Sequence, residues 1–411
     1  MGTARRYCAP VVSGLSTPPF TTNSMRIRRL RSTALVAGLL LASASLLSAQ
    51  TQVTIPPIDF SGSIFANYQY RTDIQAKDFN KFDLERVYLT FRMPAGDRTS
   101  IRVTTDVFQQ QNAASAAYYA GWTVRIKYGY LQYAYLTGTP TSFNAFARFG
   151  ILQTMLVDHE EQFWPRWLSQ TDVERAGLMT SADAGVATQL NFPNKLGEIY
   201  AAVTNGPGYA SREIDRFKDP QVRLTITPLA NSRTKLLTTW AISPWYYKGE
   251  VASRFVASGI GQVGPVGQGL RRDRYGIFTG IRDSWISLGA QYARFKGEGE
   301  IGANTLASPR VVVDSTGHLL SGFAILKPLV LFDTAYSRFG LVARYDKVTT
   351  NTNTSPEPSF HIFIGGLIFD ISRRAQFSLD YQEQLAGSNA ASLVGINQPQ
   401  KTYFMHVVAN F

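Results

Sequence analysis

Four consecutive residues with acid–base or metal-ligating side chains, Asp158-His159-Glu160-Glu161, lie in a long link between two strand-like segments. Neighbouring side chains on an extended chain point in different directions, so two or three of them rarely converge on one divalent ion. The cluster therefore favours separate charges on a loop. A bound metal is the alternative, and no cofactor is expected.

Hydrolytic chemistry would need a nucleophile and a base that a third group orients. The histidines are the candidate bases: His159, His318, His361 and His406. No nucleophile elbow, phosphate loop or metal-ligand spacing accompanies them. His361 lies among apolar residues, and His406 falls on the polar face of the final segment, so both are interpreted as wall residues. We expect no enzymatic activity.

Basic side chains fall on the polar faces of four strand-like segments that precede the acidic link. They are Arg86, Arg92, Arg102, Arg125, Lys127 and Arg148. The link itself, 152–183, contributes Asp158, His159, Glu160, Glu161, Trp164, Arg166 and Trp167. Acids on a loop that face basic residues on a wall would create a transverse field acting on water and small ions. The alternatives are ordinary solvated charges, or ion pairs with Asp83, Glu85 and Asp106.

The elements that would position these residues alternate apolar and polar side chains. In 86–93, for example, Val87 and Leu89 alternate with Tyr88 and Thr90. A period of two is typical of a strand with one apolar and one polar face. A tilted strand needs roughly ten residues to cross a bilayer, and each segment of this kind has about that length. There are sixteen such segments: 58–71, 86–93, 101–108, 124–136, 143–151, 184–192, 198–205, 221–227, 234–243, 274–282, 285–295, 319–327, 336–347, 360–371, 374–383 and 402–411.

The links between these segments alternate in length. Short, turn-rich links occur at 94–98, 137–140, 193–197, 228–232 and 372–373, and longer polar links at 109–123, 152–183, 206–220, 244–273, 296–318, 348–359 and 384–401. Long extracellular loops and short periplasmic turns are typical of outer-membrane barrels. A soluble sandwich would not need this asymmetry. The sequence therefore predicts an all-β, transmembrane antiparallel β-barrel of about 16 strands over residues 58–411.

Both ends of the chain fit export to an outer membrane. The final segment ends in Phe411, the terminal aromatic residue that barrel-assembly machinery favours as an assembly signal. Near the other end, basic residues at 26–31 precede an apolar run to Leu47 and a small-residue exit at Ser48-Ala49, which predicts a secretory signal peptide over 25–49. Residues 1–24 are interpreted as an upstream extension, with translation starting at Met25, and 50–57 as a short lead-in.

Composition limits the remaining functions. The one cysteine, Cys8, precedes the cleavage point, so a mature chain would have no disulfide or thiol chemistry. Six of the 41 basic residues also precede it, which leaves 35 against 29 acidic residues, a charge of +6. That excess is too small to indicate nucleic-acid binding. Beyond the signal, no apolar run is long enough for a transmembrane helix.

Several segments resemble the phosphate-selective-type (O/P) porin family. They are 79–92 (FNKFDLERVYLTFR), 147–154 (ARFGILQT), 183–192 (DAGVATQLNF) and 200–206 (YAAVTNG). The likeness covers most of the mature chain as a pattern more than as a strict motif. It implies a 16-stranded trimeric channel in the bacterial outer membrane. The dense lysine loops and long arginine ladder of that family are missing, so the resemblance supports a porin more strongly than phosphate selectivity.

The sequence thus predicts an outer-membrane porin that forms a water-filled channel for passive diffusion of small hydrophilic solutes. A weak preference for anions such as phosphate follows from the mature charge and the wall arginines. Expected partners are these solutes, outer-membrane lipids, the assembly machinery and further copies in a homotrimer, with no nucleic acid. The alternatives are a non-channel barrel with an adhesive or structural role and, less favoured, a barrel hydrolase.

Overall fold

Alternating segments form the strands of the computed structural model, which describes residues 57–73, 76–109, 121–213, 215–252, 269–301, 311–332, 338–387 and 399–411. The strands are β1 (Asp59–Arg71), β2 (Asn80–Gly96), β3 (Thr99–Gln109), β4 (Trp122–Leu136), β5 (Asn144–Gln153), β6 (Ala182–Asn191), β7 (Gly197–Thr204), β8 (Asp219–Ile226), β9 (Ala241–Tyr247), β10 (Glu250–Ala252), β11 (Gly269–Arg282), β12 (Ile286–Ile301), β13 (Val311–Leu326), β14 (Phe339–Thr349), β15 (Ser359–Asp370), β16 (Ala375–Ala386) and β17 (Gln400–Asn410).

The strands close into one antiparallel barrel. Each pairs with its neighbours along the chain, and β1 pairs with β17 from Ser63 opposite Asn410 to Arg71 opposite Thr402. β9 and the short β10 both pair with β11 and continue one another across a two-residue irregularity. They therefore count as one crossing, and the predicted barrel of 16 strands is confirmed.

The two faces of the wall differ as the alternation predicts. On β17, Tyr403 and Val407 point outward and are exposed, whereas His406 points inward and is buried. The same arrangement recurs on β15 and β16, where Leu367 and Leu379 are each half exposed on the outer face. A barrel whose exterior meets lipid has this arrangement, with apolar side chains on the outside and polar side chains inside.

A terminal ring covers the seam where the barrel closes. The backbone of Phe411 exchanges two hydrogen bonds with Gly62, of 2.9 and 3.0 Å. A Cβ atom at Gly62 would lie only 2.3 Å from the Phe411 ring, so a larger residue at this position would displace the ring. Phe60 packs beside the same ring at a centroid distance of 5.8 Å. The seam is therefore sealed by backbone pairing and by an aromatic contact on the outer face.

One predicted strand is largely wrong. Residues 234–243 were expected to cross the membrane, but Lys235–Thr239 form a 3₁₀ helix and the strand begins at Ala241. The Thr238 and Thr239 hydroxyls donate to the carbonyls of Lys235 and Leu236, at 2.6 and 2.8 Å. These local bonds to the backbone compete with strand pairing. In contrast, β12 and β13 extend further into the predicted 296–318 link than expected.

The predictions for the N-terminal region lie outside the described residues, which begin at residue 57. This applies to the extension at 1–24, the signal peptide at 25–49 and nearly all of the lead-in at 50–57. Within the described ranges, no helix combines the length and the apolar character needed to cross a membrane.

The facing of β2 makes a testable prediction about stability. Leu89 points toward lipid, while Thr90 points into the barrel and bonds the Thr104 hydroxyl at 2.9 Å. We expect Leu89→Arg to lower the free energy of unfolding in bilayers by about 2–4 kcal/mol, because a guanidinium near the bilayer midplane is poorly solvated. Thr90→Arg is the control. Its charge stays in the lumen, so the loss should be about 1 kcal/mol, from one hydrogen bond. Equal losses would contradict the assignment of faces.

Candidate functional site

The link between β5 and β6 folds into the barrel, and its residues 154–181 are called the inward loop below. It contains two short helices, α1 (Val157–Glu160) and α2 (Asp172–Arg175). Its first part is fixed to β8 and β9. The Met155 amide donates to Gln221 Oε1 at 2.9 Å, and His159 Nε2 lies 2.9 Å from Ser243 Oγ.

The second part of the inward loop is fixed to the opposite wall. Arg344 Nη1 on β14 donates to the Gln170 carbonyl at 2.6 Å. Gln382 on β16 accepts from Arg175 Nη1 at 3.0 Å and donates to the Leu168 carbonyl at 2.9 Å. Anchors on both sides of the lumen hold the loop across the interior.

Aromatic residues pack between the loop and the wall. Phe163 lies against Phe278 and covers Gly280, where a Cβ atom would meet its ring at 2.8 Å. The Trp164 ring is 5.2 Å from that of Phe323, and Trp164 is almost fully buried. Trp167 reaches His406 on β17, at 6.3 Å. Trp164 and Trp167 are therefore mainly packing residues that hold the loop against the wall, and they border a neighbouring space of about 500 Å³.

These contacts place the loop against the half of the wall that runs from β8 to β17. On the other side of the loop, beside β1 to β4, lies an open space of about 400 Å³, called the passage below. Two further spaces, of about 500 and 560 Å³, lie between the loop and the wall. Two acidic side chains of the loop line the passage, Asp158 and Glu161. Three basic side chains of the wall, Arg92, Arg102 and Lys127, also line it. The structure thus brings together five of the residues that the sequence predicted to face one another.

Helical geometry explains which loop acids reach the passage. Residues three apart lie on the same side of a helix, so Asp158 and Glu161, the residue that ends α1, share one face. His159 and Glu160 turn toward the wall and are buried. Asp158 is exposed to solvent although it lies deep inside the barrel. Its carboxylate therefore stands in the open part of the lumen.

A β-bulge in β4 places two successive side chains on the inner wall beside the passage. Thr104 of β3 faces Tyr128 and Thr105 faces Ile126, so Lys127 is the extra residue. Lys127 and Tyr128 are consequently both buried on the inner side, where strict alternation would allow one. The Lys127 ammonium lies 4.3 Å from the centre of the Tyr88 ring. Bulges commonly re-aim side chains in this way next to functional sites.

Tyrosine rings that sequence reasoning did not select as site residues hold the wall cations. Arg102 lies over Tyr128 at 4.4 Å, and its Nε donates to Thr104 Oγ1 at 3.1 Å. Cations over aromatic faces gain stability without a neutralising carboxylate. Tyr88 could have been selected from the sequence, because it falls on the polar face of its segment. Tyr128 could not, because the bulge changes the alternation that would have indicated its direction.

Positive charge exceeds negative charge along the passage. Four cations and two carboxylates line it. The cations are Arg92, Arg102, Lys127 and Arg166, and the carboxylates are Asp158 and Glu161. Arg166 is held within the loop by Glu161 at 2.5 Å and Glu174 at 2.7 Å. Arg92 lies 3.6 Å from Asp59. Arg102 and Lys127 are the wall cations without such an ion pair among the described residues.

Other predicted wall arginines lie away from the passage. Arg86 and Arg125 both pair with the buried Asp106, at 3.1 and 2.8 Å, as the ion-pair alternative anticipated. Tyr209, from the β7–β8 link, donates to the same carboxylate at 3.0 Å. Arg148 donates to Gln132 and Gln153, at 2.9 and 3.0 Å. These side chains fasten strands and a second link together.

His159 and Glu160 do not act with their acidic neighbours. Burial, together with the Arg223 charge, lowers the pKa of His159 well below its ordinary value, so the ring is neutral. Burial and the nearby Asp172 raise the pKa of Glu160 well above the usual range, which favours the neutral form of this carboxyl. Over the described part of the chain, no three His, Cys, Asp or Glu side chains are grouped as metal ligands.

The two acids of the passage titrate in different ranges, which predicts a pH effect. Asp158 is open to the lumen, but the surrounding wall and loop reduce its solvation, and this effect and then the Glu161 charge raise the pKa of Asp158. Against the effect of burial, Arg166 and Lys127 hold the pKa of Glu161 below its usual range. As pH falls toward about 4, the ordinary pKa of aspartate, Asp158 therefore loses its negative charge first.

We expect the preference for anions to rise in that pH range, because the passage then gains one net positive charge. The measurement is the reversal potential across a salt gradient at stepwise lower pH. The variant Asp158→Asn should show the higher anion preference already at pH 7. Its reversal potential should then stay constant as pH falls, until the range where Glu161 titrates. A step of the same size in this variant would assign the effect to another group.

Comparisons with known proteins place the fold. No protein-family profile matches the chain, and no curated protein matches it. Among solved structures, a loop L8 deletion mutant of OmpT, an outer membrane protein of Vibrio cholerae, is 9% identical with a TM-score of 0.56, covering 86% of this chain and 99% of that one. The outer membrane channel DcaP of Acinetobacter baumannii is 10% identical with a TM-score of 0.54, covering 88% and 99%. Salmonella typhi OmpF, in complex with daunomycin, is 12% identical with a TM-score of 0.55, covering 87% and 98%. At such identities the likeness shows a shared fold, the closed antiparallel barrel.

Proposed function

We propose that this protein is a porin-like channel of the bacterial outer membrane, through which small hydrophilic solutes diffuse passively. The observation that carries the proposal is the solvent-exposed Asp158 side chain inside the barrel, opposite Arg102 and Lys127. The anchored loop narrows a wide lumen without filling it, and an open, charged passage remains beside the loop. The apolar outer face supports a lipid environment. No catalytic role is proposed.

We further propose a weak preference for anions. Support comes from the four cations and two carboxylates that line the passage. Arg102 and Lys127 supply a guanidinium and an ammonium, groups that form strong charge-assisted hydrogen bonds with phosphate oxygens. Phosphate is therefore included among the proposed solutes, and a phosphate-selective porin type is the finer form of this proposal.

Assembly and export complete the proposal. A homotrimer is proposed from the family resemblance, and one OmpT structure of the same fold is described as a trimer form. Export by a cleaved signal peptide, and insertion by the barrel-assembly machinery with Phe411 as its signal, fit the same location. Outer-membrane lipids would then surround the exposed apolar face.

Planar-bilayer recording of the refolded protein tests this function. We expect stepwise currents that open in groups of three, and a reversal potential of the sign that anion preference gives. Block by inorganic phosphate at low concentration would support the selective form. A correctly folded barrel without conductance would overturn the channel and favour the adhesive or structural alternative.

A further inference from the structure

The outer face carries a sharp change from apolar to basic side chains over four adjacent strands. Exposed Tyr292, Leu320, Tyr345 and Phe363 end the apolar surface of β12, β13, β14 and β15. Two residues further along each strand, on the same face and toward the long links, stand Arg294, His318, Lys347 and His361. Two residues of a strand span about 7 Å. We call these four side chains the outer basic row.

Strand pairing brings the members of the outer basic row side by side. Arg294 is directly opposite His318, and Lys347 is directly opposite His361. Lys347 also faces Leu320, the position next to His318 on the same face of β13. Four neighbouring strands are about 15 Å wide. The row therefore forms one continuous surface, in which two cations alternate with two imidazole rings.

The side chains of this surface are not neutralised by the protein. Neither Arg294 nor Lys347 forms an ion pair with any residue that the structure describes. Glu383, an acidic residue on the outer face of the adjoining β16, is bound by Lys401 at 3.2 Å. The Tyr345 hydroxyl lies 2.5 Å from His361 Nδ1, which fixes the imidazole ring.

The geometry points to a binding site for the phosphate groups of an outer-leaflet glycolipid. Aromatic residues of a barrel lie at the membrane interface, so cations one step beyond them stand at headgroup depth. Cations at that depth attract anionic headgroups. Apolar contacts at Tyr292, Leu320 and Phe363 would meet the acyl chains, which an unattached phosphate ion lacks. This inference rests on the proposed location in the outer membrane.

Lipid retention in native mass spectrometry tests the site. The detergent-solubilised protein is titrated with bis-phosphorylated lipid A, with the same lipid after removal of its phosphates, and with inorganic phosphate. We expect retention of the phosphorylated lipid only. The double variant Arg294→Gln/Lys347→Gln should bind it roughly 25-fold more weakly, about fivefold for each cation removed. Lys248→Gln, which removes an exposed cation at the end of β9, is the matched control and should leave binding unchanged.

Each of the following outcomes would overturn the proposed lipid-binding site. Equal retention of both lipid forms would show that apolar contact alone binds the lipid. An unchanged affinity in the double variant, or an equal loss in Lys248→Gln, would show that the charge effect is not local. Competition by inorganic phosphate at equal concentration would indicate a site for the free ion. Far-UV circular dichroism and an unchanged melting temperature of the double variant show that it folds, whether or not it conducts. Conductance is measured separately, so lipid binding and current can fail independently.

Discussion

Replacing Arg102 and Lys127 together by glutamate is expected to reverse the sign of the reversal potential, from anion to cation preference. The passage has four cations and two carboxylates, and the change leaves two cations and four carboxylates. At an effective dielectric constant of about 20, a fixed charge about 5 Å from a permeating ion contributes roughly 3 kcal/mol. Changing two such charges therefore outweighs the charges on more distant parts of the wall, which salt screens.

Two further variants make this prediction decisive. Lys127 is buried beside Tyr88, so glutamate there can disturb folding. The double variant Arg102→Gln/Lys127→Gln keeps similar volumes, and we expect its reversal potential to fall close to zero. Arg294→Gln removes one cation from the outer face and should have no effect on selectivity. If the glutamine variant keeps the full anion preference, Arg102 and Lys127 do not set it.

Detaching the inward loop from the wall is expected to produce the largest change in conductance. Phe163 packs against Phe278 and Gly280, and its carbonyl accepts a hydrogen bond from Ser287 at 2.7 Å. Truncating a buried phenylalanine costs about 3–5 kcal/mol. We expect Phe163→Ala, and still more Phe163→Ala/Trp164→Ala, to increase single-channel current and weaken selectivity. The barrel should persist because its strand hydrogen bonds do not involve these rings.

A substitution from the side of the wall tests the same contact independently. Gly280→Val would place side-chain atoms where the Phe163 ring now lies, since even a Cβ atom would approach it to 2.8 Å. The same rise in current is expected. Phe149→Ala removes a phenylalanine from the outer face, where 73% of it is exposed, and should leave the current unchanged. Unaltered current in both loop-detaching changes would mean that the remaining anchors suffice, or that the loop does not limit flow.

Much of the barrel could be predicted because one face of each strand meets lipid and the other meets water. The alternation of Leu89 with Thr90, or of Val407 with His406, follows from that difference alone. The strand predicted over 234–243 was largely wrong because its threonine hydroxyls bond the local backbone. Hydrophobic periodicity carries no information about such bonds.

The site was less predictable because its geometry depends on local departures from regularity. That Lys127 faces the lumen fits simple alternation, but Tyr128 beside it does not, and the bulge that allows both leaves no mark in the sequence. Asp158 and Glu161 share a face only because α1 is helical, whereas an extended loop would also have presented His159 or Glu160. Tyr209 reaches Asp106 across 103 positions of sequence, a contact that pattern analysis does not detect.

The pairing of β1 with β17 has a consequence for how the protein folds. Ser63 and Asn410, which bond across the seam, are 347 residues apart in sequence. Contacts of such long range form slowly because the intervening chain must be ordered first. Until they form, two apolar strands keep unpaired edges, which are templates for aggregation. We therefore expect the unpaired strands to need shielding until the seam closes, and slow closure, more than weak pairing between neighbouring strands, to limit the yield of folded protein.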